Sequence, residues 1–83
     1  MPTVFIENGF RFFFYSKDVS ERPHIHIDNA DGEIKLWMDT FTVAKRYGYM
    51  RKSDERCAIE IAKRRRQDIM DAWQKLLDTK GML

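Results

Sequence analysis

Between Val4 and Met38 apolar side chains recur at every second position, and beyond residue 53 they recur every three or four. The first period belongs to strands with one buried face, the second to an amphipathic helix. A chain of 83 residues has room for one small core and not for two. Both patterns must therefore bury the same surface, which points to an α+β domain with a helix laid on a sheet. At about 0.05–0.15 kcal/mol per residue, its net stability is expected to be only about 4–12 kcal/mol.

Four strands are expected over about residues 3–7, 10–16, 23–28 and 34–38, in an antiparallel sheet. The Asn8-Gly9 pair after "TVFIE" is a strong hairpin signal. "FRFFFYS" has the aromatic content of a pleated surface, and Pro23 opens the third strand at an end where a missing N–H is tolerated. "NADGE" reads as a turn in which Gly32 is free to take positive φ. "DTFTVAKRYG" reads as a short helix over 40–47, capped by Asp39 or Thr40 and stopped by Gly48. A long helix is expected over 53–78, about 39 Å at 1.5 Å per residue. Its inward stripe is Ala58, Ile61, Ala62, Ile69, Ala72, Trp73 and Leu76, and "KRRR" places Arg65 and Arg66 on that stripe. Their stems can cover apolar surface while the heads pass the sheet edge, or one of them can pair with a carboxylate. Residues 1–83 are taken as a single domain.

Covering the more apolar side of each strand buries Val4, Ile6, the even-numbered phenylalanines Phe10, Phe12 and Phe14, Ile25, Ile27, Ile34, Leu36 and Met38. The opposite face then carries Arg11, Phe13 and Tyr15, His24, His26 and Asp28, and Glu33, Lys35 and Trp37, provided the strands keep register. Three uses compete. Tyr15, Phe13 and Trp37 could stack on bases while Arg11, Lys35 and the basic Lys63, Arg64 and Arg66 meet phosphates. The same aromatic cluster, rimmed by charge, suits a protein interface. Finally, His24 and His26 stand one strand repeat apart, about 7 Å. They could serve as acid and base with Lys35 steadying a phosphorane, or hold a divalent metal such as zinc together with Asp28.

Charge is uneven: residues 40–66 hold nine basic and three acidic side chains, against four and seven in residues 1–39. A basic middle is compatible with nucleic acid or an acidic protein. Cys57 stands alone, so no intrachain disulfide forms, and it reads as a small helix residue. No apolar run is long enough for a bilayer, and the opening "MPTVFIENG" lacks signal-peptide character. A cytoplasmic protein without a membrane partner is expected.

The motifs "MPT", "GFRFFFYS", "RPHIHI", "KLWMD", "AKRYGY" and "RRQDIMDAWQKL" together resemble the bacterial domain of unknown function 4160 family. The resemblance implies a compact α+β domain, with genes often paired in cassettes like those of toxin–antitoxin modules. It draws attention to Pro23, His24, His26, Trp37, Arg66 and Trp73. Arg22 replaces the family's usual first proline, and Arg65 stands where many members have histidine. A histidine at that helix position is thus not needed here, which weighs against a three-histidine metal site.

The expectation is a four-stranded sheet with a short helix and a long C-terminal helix packed on one face. It would be a non-enzymatic binding module without a resident cofactor. Its partner would be a cognate small protein from a neighbouring gene, with RNA or DNA and a homodimer as further options. The alternative is a small nuclease-like toxin using His24 and His26.

Overall fold

The computed structural model describes residues 3–15, 17 and 20–81, with backbone only for 80 and 81. Five strands and two helices follow in order: β1 (Thr3–Glu7), β2 (Phe10–Phe13), β3 (His24–Asp28), β4 (Gly32–Trp37), β5 (Val43–Gly48), α1 (Lys52–Arg64) and α2 (Arg66–Gly81). The strands form one antiparallel sheet in chain order. Ser16, expected at the end of the second strand, lies outside the described residues.

The β1–β2 turn is built as its sequence demands. Asn8 and Gly9 take φ of 53° and 78°, the left-handed pair of a tight hairpin. In the β3–β4 turn the Asn29 side chain accepts from the N–H groups of Asp31 and Gly32 at 2.9 and 3.1 Å. Gly32 does not supply positive φ there. It is required for space, since a Cβ at this position would stand 2.8 Å from the Tyr47 carbonyl oxygen and 2.9 Å from the Tyr49 nitrogen.

Residues expected as a short helix form β5 instead. Asp39 and Thr40 sit in a hairpin turn that Phe41 closes with φ of 58°, its N–H donating to the Trp37 carbonyl at 2.8 Å. Physically, Val43, Ala44 and Tyr47 have helical spacing, but most of "VAKRYG" is exposed, so a short helix here would gain little from burial. As a strand it satisfies the free edge of β4.

The single long helix is broken. Arg65 leaves helical geometry at φ −103° and ψ 26°, and the chain resumes as α2 at Arg66. The break coincides with a clamp: Arg65 lies 3.6 Å from the Phe5 ring centroid and pairs with Glu7 and Asp68, while Arg64 also pairs with Glu7. The pair with Arg64 holds the Glu7 carboxyl below the usual carboxylate range. Arg66, expected on the inward stripe, is exposed.

The core lies between one sheet face and the helices. Phe12, Ile25, Ile27, Ile34 and Leu36 are fully buried against Ala58, Ile61, Ala62, Ile69 and Trp73. Each such large side chain contributes about 1.5–3 kcal/mol. One strand departs from simple alternation. A bulge between Thr3 and Phe5 puts Phe5 opposite Phe12, their rings 4.4 Å apart, and turns Ile6 outward to 70% exposure. The sequence pattern had placed Ile6 inside. Among the described residues no helix is long and apolar enough to cross a membrane.

Candidate functional site

On the face away from the helices, register brings together the residues that strand alternation selects. Arg11 pairs with Asp28, Phe13 with His26, His26 with Lys35, His24 with Trp37, and Asp28 with Glu33. Tyr47 and Lys45 of β5 extend the row beside Glu33 and Lys35. The middle of this face is not open. Phe13 and His24 have no exposed surface and His26 has 4%. Arg11 lies 4.2 Å over the Phe13 ring, and the Tyr15 ring meets His26 edge-on at 4.6 Å.

His24 and His26 therefore play different parts. The His24 ring meets Trp37 at 5.8 Å and Trp73 of α2 at 5.4 Å. Its Nδ1 lies 2.7 Å from the Arg22 carbonyl, which can only accept. The proton therefore sits on Nδ1 in the neutral ring. His26 faces a cleft, with Nδ1 3.3 Å from Glu33 Oε2. The rings lie 5.0 Å apart, yet only His26 lines that cleft. Among the described residues, no three His, Cys, Asp or Glu side chains gather as metal ligands. Asp28, the expected third ligand, is bound by Arg11 at 2.7 Å.

The cleft has a volume of about 450 Å³, within the range of small-molecule sites. His26, Glu33, Lys35 and Tyr47 line it from the sheet, and Tyr15, Lys17 and Glu21 from the β2–β3 connection. Lys35 Nζ lies 2.6 Å from Glu21 Oε1 and 5.0 Å from the Trp37 ring centroid. That ion pair holds the Glu21 carboxyl below the usual carboxylate range. The Tyr15 hydroxyl donates to Glu33 at 3.4 Å, and burial, then the Glu33 charge, pushes its pKa up. Tyr15 thus stays a protonated donor at neutral pH.

Most cations around the cleft already have carboxylate partners. Arg11 meets Asp28, Lys35 meets Glu21, and Arg22 meets Asp39 at 2.7 Å while lying 4.4 Å over Trp37. Five of the nine basic side chains of the 40–66 segment are paired as well. Arg46 is bound by Glu55, Arg51 by Asp54, Lys63 by Glu60, and Arg64 and Arg65 by Glu7. Lys63, Arg64 and Arg66 lie on the helices, away from the cleft lining.

Sequence reasoning found Tyr15, His26 and Lys35, and placed Glu33 on the correct face without giving it a role. Tyr47, in a segment the sequence marks as helical, and Lys17 and Glu21, in a polar connection, carry no such signal. Nothing in "VAKRYG" marks Tyr47 in advance, because the bulge between Lys35 and Leu36 sets Val43 opposite Leu36 and off the face that Lys45 and Tyr47 share.

Residues 9–74 of the 83 match the family model described as Domain of unknown function (DUF4160). The chain belongs to DUF4160. The match spans the cleft residues from Tyr15 to Tyr47 and both tryptophans, Trp37 and Trp73. The family description assigns DUF4160 no activity. No curated protein and no solved structure matches the chain.

Proposed function

We propose that this DUF4160 chain is a non-enzymatic binding module that docks a cognate small protein across its helix-free face and β5, within a two-gene cassette of the toxin–antitoxin kind. The pairing of cations with carboxylates across that face supports a protein over a nucleic acid. A single strand of phosphates demands surplus positive charge along its path. Here Asp28, Glu33 and Asp39 would line the path instead. Aromatic surface remains for contact: Tyr47 is 43% exposed and Tyr49 71%. Aromatics in a charged frame are the usual anchors of protein interfaces.

The test is calorimetric titration of the neighbouring gene's product into the wild type and into Trp37→Ala and Tyr47→Ala. Each substitution is expected to weaken binding roughly tenfold or more, with little dependence on salt. If the affinity instead falls steeply with salt and RNA competes, the ligand is nucleic acid.

A second reading, a small nuclease, draws on one observation: His26, Glu33, Lys35 and Tyr15 share one cleft. In that chemistry Lys35 steadies the phosphorane and His26 moves the proton. His24, enclosed between Trp37 and Trp73, would have no contact with substrate. RNA turnover that survives His26→Ala sinks this reading.

A further inference from the structure

The Lys35 ammonium is fixed on the sheet, its side chain only 17% exposed, whereas the Glu21 carboxylate that meets it comes from the β2–β3 connection and is 42% exposed. The two sides of this ion pair are therefore unequal. Lys35 is anchored by strand pairing with His26 and Lys45 and by contact with Trp37. Glu21 reaches in from the solvent side, and a pair of that kind is cheap to exchange.

We propose that the cleft over β3, β4 and β5 is a socket for one carboxylate of a protein partner, seated on Lys35 in the place Glu21 now holds. This deepens the reading of the helix-free face as a protein-docking surface and rests on it.

Charge decides the chemical class. The described cleft lining carries two lysines, Lys17 and Lys35, and two carboxylates, Glu21 and Glu33. Among the described residues, with Glu21 swung out, Lys17 and Lys35 outweigh Glu33 by a single positive charge, which one carboxylate neutralises. Glu33 stays behind, bound by the Tyr15 hydroxyl and 3.3 Å from His26. A chain of phosphates would meet Glu33 and then Asp28, and so is disfavoured. A carboxylate on a short side chain, flanked by apolar groups for the rings of Tyr15 and Tyr47, fits both the charge and the walls. In this arrangement Glu21 is a built-in competitor: the partner's acid gains only the difference between its own contact and that of Glu21.

The experiment is an amide chemical-shift titration of the full chain with a blocked Val-Glu-Val tripeptide, and with Val-Gln-Val as its uncharged counterpart. The glutamate peptide is expected to move the amides of Lys35, His26 and Tyr47, and the glutamine peptide to leave them in place. Glu21→Gln should bind the glutamate peptide roughly two- to fivefold more tightly, as the loss of an exposed competing ion pair implies. Lys35→Gln should abolish the shifts. Equal response to both peptides, no response to either, or weaker binding by Glu21→Gln overturns the socket. So does a short RNA that displaces the glutamate peptide from Lys35 and gains affinity in Glu21→Gln. The wider reading is separable: a cognate protein that loses affinity with Trp37→Ala but ignores Lys35→Gln and Glu21→Gln leaves the docking face standing and removes the socket alone.

Discussion

Arg46 and Glu55 form a two-point ion pair, Nε to Oε2 at 2.9 Å and a terminal nitrogen to Oε1 at 2.8 Å, and so fasten the edge strand β5 to the first turn of α1. The glutamate is nearly buried and the arginine more than half exposed. Arg46 lowers the Glu55 pKa below its ordinary value of 4.5, against an opposing contribution from burial. A carboxyl whose folded pKa is depressed stabilises the fold above its unfolded pKa. That stabilisation is lost as pH falls through the folded value. Glu7, Glu21 and Asp39 are lowered as well and act in the same direction. Thermal melts are therefore expected to stay level above about pH 5 and to drop progressively below about pH 4.5. Glu55→Gln should lose about 1 kcal/mol at pH 7 and show a shallower acid decline. A variant as acid-sensitive as the wild type would remove Glu55 from this account.

The β1 bulge inverts the expected cost of two neighbouring substitutions. Ile6→Thr, at an exposed site, should change stability by less than about 0.5 kcal/mol. Phe5→Ala removes a ring stacked between Phe12 and Arg65 and should cost about 1–3 kcal/mol. Urea unfolding of both variants decides it. A large loss at Ile6 would mean that β1 alternates without the bulge.

Gly32→Ala should be costly although the residue lies at a turn. Its Cβ would press on backbone atoms of residues 47, 49 and 50, none of which can rotate away. Overpacking of this sort costs about 1–3 kcal/mol. The variant should also broaden or shift the amide signals of Tyr47 and Lys45, because β5 must move to make room. An unchanged β5 spectrum with full stability would contradict this packing.

The two histidines should separate in long-range proton–nitrogen spectra. In neutral His24 the protonated nitrogen is expected to be Nδ1, held by the Arg22 carbonyl. His24→Ala empties a site enclosed by Trp37, Trp73 and His26 and should cost roughly 2–4 kcal/mol. A His24 signal with the proton on Nε2 in the neutral ring would mean that the Arg22 contact is absent in solution.

Strands β2 to β4 were legible because each has one deeply buried face, so burial writes itself into the sequence as alternation, whereas β1 was marked by its hairpin turn and its bulge hid which side Ile6 takes. The pairing of Arg11 with Asp28 and of Phe13 with His26 followed from that alternation and the Asn8-Gly9 turn. β5 was not legible for the converse reason: with nearly every residue exposed, "VAKRYG" leaves no trace of which side faces the core. The helix break escaped for a third reason. Nothing local to Arg65 stops a helix, and its partners Glu7 and Phe5 lie about sixty residues away in the chain. Within the site, register delivered His26 and Lys35. The buried setting of His24 depends on Trp73, a contact that period alone cannot show.

Strand order in space repeats strand order in the chain, and this has a consequence for how quickly the molecule assembles. Every sheet pairing closes a short connection, the longest being residues 14–23, so little chain entropy is lost at each step and the sheet can zip from hairpin to hairpin. The attachment of Arg64 and Arg65 to Glu7 is different, for it joins positions 57 and 58 residues apart. Refolding speed is accordingly expected to respond weakly to substitutions in this clamp, and unfolding speed strongly. The clamp would then act as a late latch, governing how long the native state persists more than how soon it forms.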